Sequence, residues 1–105
     1  MAKAEIFAGI CGFNTTVHAR ANEGVVGLDI TSECQAIQKL AQHLTQVNPF
    51  NEISTRRSMP QTLEAGIKFC THAACPVPAG IIKTVEVAAG LALPKDVSIK
   101  LSRDD

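Results

Sequence analysis

Four cysteines and three histidines are the residues of this 105-residue chain best suited to chemistry. Cys70 and Cys75 stand close together, with His72 between them, and Pro76 and Pro78 follow at once. Cys11 and Cys34 lie upstream, each beside residues that end or begin an element. A thiolate is a strong nucleophile and a soft metal ligand, and thiolates held on rigid element ends suit Zn²⁺ or an iron–sulfur cluster. The C-x4-C step is wider than the C-x2-C knuckle of zinc ribbons, yet long enough to chelate one ion. Iron–sulfur proteins of the plant type use a C-x4-C step, but the remainder of their spacing is missing here. His72 is placed to replace one thiolate or to hydrogen-bond a bound sulfide. The expected metal ligands are therefore Cys11, Cys34, Cys70, Cys75 and His72, holding Zn²⁺ or an iron–sulfur cluster without enzymatic turnover.

Two other readings use the same residues. If Ser32 caps a helix, Cys34 falls in its first turn, where free backbone N–H groups and the helix dipole favour a thiolate. Cys34 is then the nucleophile of a thiol enzyme or redox protein, and Cys70 or Cys75 resolves it. The blander reading treats each cysteine as a small buried hydrophobe in a dimeric interaction domain. A titration separates the readings: one acidic, reactive thiol favours the nucleophile, and four protected thiols favour metal. His18 and His43 read as ordinary surface or half-buried side chains, Arg56-Arg57 as a solvated loop, and Glu64 and Glu86 as wet helix positions. No Ser-His-Asp order, Walker loop or G-x-G-x-x-G occurs.

Composition narrows the classes further. Ten basic and ten acidic residues give zero formal charge, so nucleic-acid binding driven by phosphate neutralisation is not expected. Zero net charge also lowers the barrier to self-association, so a homodimer or a protein partner is expected. No apolar run approaches the roughly 20 residues of a membrane span, and no signal-peptide pattern is present, which points to the cytoplasm. In that reducing compartment disulfides are disfavoured. The length suits one small domain, residues 1–105. With no Trp or Tyr and four Phe, its core must be aliphatic.

The elements that must position the thiols follow from periodicity. Residues 3–10 read as a strand, broken by Cys11-Gly12-Phe13-Asn14. Residues 15–21 and 25–30 alternate around Asn22-Glu23-Gly24 and predict a hairpin. Ser32 and Gln35 form a capping box for a helix whose stripe runs Ile37, Leu40, Ala41, Leu44, Val47. Asn48-Pro49 ends it, and residues 50–57 connect, with room for a turn of helix. Ser58 caps a second helix with Pro60 in its first turn, directing Leu63, Ile67 and Met59 to the core. Pro78 opens a third helix over residues 79–91. Residues 95–101 alternate again and predict a last strand, with Val97, Ile99 and Leu101 inward. The order β-β-β-α-α-α-β implies an α+β fold, a mainly antiparallel sheet covered on one face by helices.

A strand hairpin, a Cys at a helix start, a later Cys, then Cys-Pro opening an Ala/Ile-rich helix resembles the TSCPD domains. Residues 10–93 carry that resemblance. Cys11-Gly12 stands at the family's early Cys, Cys34 at its Gly-Cys, Cys70 at its third Cys, and Ala74-Cys75-Pro76 at its Ser-Cys-Pro-Asp signature. Ala74, Val77 and Glu33 depart from the family's Ser, Asp and Gly. The resemblance implies a metal held by Cys11, Cys34, Cys70 and Cys75. More loosely, the order Cys11-Gly12, Cys34, Cys70 is similar to the IscU-type iron–sulfur scaffolds. Phe13 and Asn14 stand where the scaffold has Asp, and His72 falls two residues after Cys70 rather than beside it. A small family of anaerobe proteins is expected to stand closer than either.

Overall fold

The computed structural model describes residues 1–104. Four strands form one antiparallel sheet in the order β1-β2-β3-β4: β1 Ala2–Phe7, β2 Asn14–Asn22, β3 Val25–Ser32 and β4 Gln46–Val47. The helices are α1 Gln35–His43, α2 Gln61–Phe69 and α3 Val77–Ala88, with a short 3-10 turn at Pro49–Asn51. This is the expected α+β fold. No helix among the described residues is long and apolar enough to cross a membrane.

The β2–β3 hairpin closes through Glu23-Gly24, both at positive φ, 50° and 87°. Such a two-residue turn has the twist that matches the strands it joins. Register then decides the faces. Val17 lies opposite Ala4 and Ile30, and Ala19 opposite Ala2 and Leu28, so the centre of one side of the sheet is apolar. Against it sit Ile37, Leu40 and Leu44 around α1 and Val77, Ile81 and Val85 of α3, all buried. Two small residues let the helices approach closely. A Cβ on Gly80 would collide with Ile6 of β1, and one on Gly66 would stand 2.8 Å from Pro78 Cγ.

Several expectations need correction. β1 stops at Phe7, since Gly9 and Gly12 take positive φ and turn the chain into β2. The first helix stops at His43, and Val47 belongs to β4, paired with Val26. A buried apolar residue satisfies a helix stripe and a strand equally, and here the edge of β3 claimed it. In α2 the buried positions are Thr62 and Gly66, while Ile67 and Met59 are exposed. The expected last strand does not form: residues 95–101 pair with no strand, and Val97, Ile99 and Leu101 are exposed.

Candidate functional site

Three of the cysteines mark three helix ends. Cys34 is the N-cap of α1, Cys70 the C-cap of α2, and Cys75 precedes Pro76, the N-cap of α3. α2 packs between α1 and α3, so these ends meet at one edge of the core. All three thiols are half-buried and packed against the apolar cluster.

Local chemistry sets each position. Ser32 is not the cap it was expected to be; its Oγ instead accepts from the backbone N of Cys34 at 3.1 Å. The same Oγ shares a 2.7 Å hydrogen bond with Thr15 Oγ1, tying Cys34 to β2. Gln38, rather than Gln35, reaches back, its Nε2 donating to Ser32 O at 2.8 Å. Cys70 N donates to Gly66 O at 2.9 Å, which closes the last turn of α2. Phe69 stacks on His43 with ring centroids 4.7 Å apart, fixing that turn to α1. Cys75 N donates to His72 O at 3.2 Å, folding residues 72–75 into the turn that brings Cys75 back toward Cys70.

The thiols sense one another. Burial pushes the Cys70 thiol up from its ordinary 9.0 to about 11. The neighbouring Cys75 adds to the rise through its charge and as hydrogen-bond partner, and Cys34 adds a smaller charge effect. A buried thiol that resists ionisation in this way is one where a cation makes a large difference, because it replaces the proton and cancels repulsion among thiolates. Soft sulfur donors suit Zn²⁺ or iron rather than Mg²⁺ or Ca²⁺. Among the described residues, no three Cys, His, Asp or Glu groups stand in an arrangement that could hold a metal ion.

The other two expected ligands lie apart from this trio. Cys11 is exposed on the loop between β1 and β2, and His72 is exposed on the turn before α3. The Cys11 loop is small and closed: Ala8 N donates to Phe13 O at 3.1 Å and Gly12 N to Gly9 O at 2.8 Å. Its far end is latched to the start of α1. Asn14 N donates to Glu33 Oε1 at 2.8 Å, and Glu33 N donates to Asn14 O at 3.3 Å. Glu33, the residue before Cys34, thus positions this end of the site, a role that spacing alone does not reveal. Its only sequence signal is adjacency to Cys34.

The sequence matches, over residues 2–101, the profile described as a family of unknown function (DUF6951). No curated protein and no solved structure matches it.

Proposed function

The chain belongs to that family, and from its thiol geometry we propose that it is a non-enzymatic metal-binding module. Cys34, Cys70 and Cys75 take up a thiophilic ion, Zn²⁺ or the iron of an iron–sulfur cluster. Cys11, on its exposed loop, or His72 completes the coordination. The observation that carries this reading is that three half-buried thiols stand at the ends of three helices and pack against one apolar cluster. The resemblance to TSCPD domains supports the same set. A closed four-ligand site would make Zn²⁺ structural, whereas an open position would suit exchange of a cluster. The reading places the chain in a reducing compartment such as the cytoplasm, as a homodimer or docked on a protein partner.

The test is metal analysis with an absorption spectrum on protein purified without oxygen or chelator. About one zinc, or a few iron with sulfide, is expected per chain, by the stoichiometry of such sites. Cys34→Ser, Cys70→Ser and Cys75→Ser should each lower metal content severalfold. Metal-free protein with four freely titrating thiols, or full metal in Cys70→Ser, overturns the assignment.

One observation favours a second reading. The Cys75 thiol lies close enough to Cys70 to help raise its pKa, as in two thiols poised for oxidation. In a dithiol protein Cys34 would attack a substrate disulfide and release one substrate thiol, and Cys70 or Cys75 would then displace the second, so that the substrate is reduced to two thiols and Cys34 ends in an internal disulfide. One rapidly alkylated cysteine among four, with no metal, would select this reading.

A further inference from the structure

The sheet has an open edge. β1 pairs with β2 on one side only, and no strand among the described residues lies on its other side. Beside that edge runs a groove of about 970 Å³, walled by β1, by Lys83, Thr84 and Val87 of α3, and by residues 94–97. A free edge is a row of backbone donors and acceptors that accepts another strand.

The chain also carries a strand pattern without a sheet. α3 ends in a glycine cap: Gly90, at φ 75°, donates to Val87 O at 3.1 Å, and Leu91 N donates to Glu86 O at 2.9 Å. Beyond Pro94 the chain forms no helix or strand through residue 101. Its apolar residues alternate, and all are in water: Val97 is 63% exposed, Ile99 78% and Leu101 90%. Period-two alternation is the pattern of a strand with one covered face. The molecule measures 50 × 28 × 26 Å, drawn out along one axis.

The two halves are complementary. In β1, Ala2, Ala4 and Ile6 face the helices, while Lys3 and Glu5 face water and form a 3.3 Å ion pair. In residues 95–101, Val97, Ile99 and Leu101 form the apolar set, and Asp96, Ser98 and Lys100 the polar one. Paired side by side, each strand sets one acid and one base on the wet face. Zero net charge opposes no approach of a second copy.

We infer that two copies of this chain exchange their C-terminal segments, residues 95–101 of each adding as a fifth strand to the β1 edge of the other. Two reciprocal exchanges close the pair and leave no free β1 edge, which is the symmetric arrangement expected of a homodimer. The inference rests on the homodimer reading above and is independent of metal.

The test is molar mass by light scattering on the full chain, with amine cross-linking of a mixture of ¹⁴N- and ¹⁵N-labelled protein refolded together. Wild type should show twice the chain mass. Lys3 should cross-link to Lys95 or Lys100 with mixed labels. V97D/I99D in the full chain should fall to the single-chain mass while keeping its helical circular dichroism. A wild-type monomer at about 100 µM overturns both the exchange and the homodimer. A wild-type dimer that persists in V97D/I99D, or Lys3–Lys95 and Lys3–Lys100 links of one label only, overturns the exchange and leaves a homodimer formed elsewhere. If V97D/I99D loses helix, the label pattern decides alone.

Discussion

Cys70 is the residue in which burial and neighbouring charge act together. In metal-free protein its folded-state pKa of about 11 lies above the ordinary 9.0. The folded state therefore holds this proton more tightly than the unfolded chain does. That contribution to stability is complete below pH 9.0 and is lost as pH rises toward about 11. Chelator-treated protein should lose thermal midpoint across that window, and Cys70→Ala should flatten the loss. An equal decline in both proteins would remove Cys70 as its cause. Under the proposed metal-binding reading, uptake would carry the opposite dependence, because each bound thiolate gives up a proton, so affinity should climb with pH.

At the scale of elements, α2 shows how a helix end is held from a distance. Its N-cap is Pro60, which offers no side-chain oxygen. Glu52, just after the 3-10 turn, supplies both of its oxygens instead. Glu52 Oε2 accepts from Gln61 N at 2.9 Å, and Oε1 accepts from Thr62 N at 2.8 Å and Thr62 Oγ1 at 2.6 Å. Glu52 is 2% exposed, so its removal leaves these donors dry. Glu52→Ala should cost about 2–3 kcal/mol in urea unfolding, the sum expected for a lost cap and unpaired buried donors. Glu52→Gln keeps one carbonyl acceptor and should cost about 1 kcal/mol. A Glu52→Ala midpoint equal to wild type would show that water replaces the carboxylate. The expected cap, Ser58, was local to the helix; the real one lies nine positions before Gln61. It comes from folding of the 3-10 turn against α2, which no helix-start pattern contains.

At the scale of the whole molecule, the thiol site and the open sheet edge draw on different residues: Cys75 precedes α3, whereas the groove beside β1 is walled by Lys83, Thr84 and Val87 of that helix. The two proposals should therefore separate. V97D/I99D should change molar mass while leaving metal per chain unchanged, as measured on the same sample. A fall in metal content alongside mass would mean that the partner chain helps to build the site. Burying Val97, Ile99 and Leu101 against a second copy should contribute about 1.5–3 kcal/mol for each side chain fully covered. That is enough to hold a dimer only if the backbone pairing forms as well.

The amino-acid sequence by itself determined the hairpin, three helices, the α+β class and the placement of Cys34, Cys70 and Cys75 at helix ends. These are local outcomes: alternation, helical stripes, and proline or glycine at fixed offsets act over a few residues. Tertiary structure alone decided that three of the thiols meet while Cys11 and His72 stay exposed, because convergence depends on how α1, α2 and α3 pack on the sheet. It also decided Val47, which leaves the helix stripe to pair with Val26 in β4. Most of all it decided residues 95–101. Their alternation predicts a strand that does not form within the chain, because pairing needs an edge and hydrophobic period carries no information about which edge, or whose.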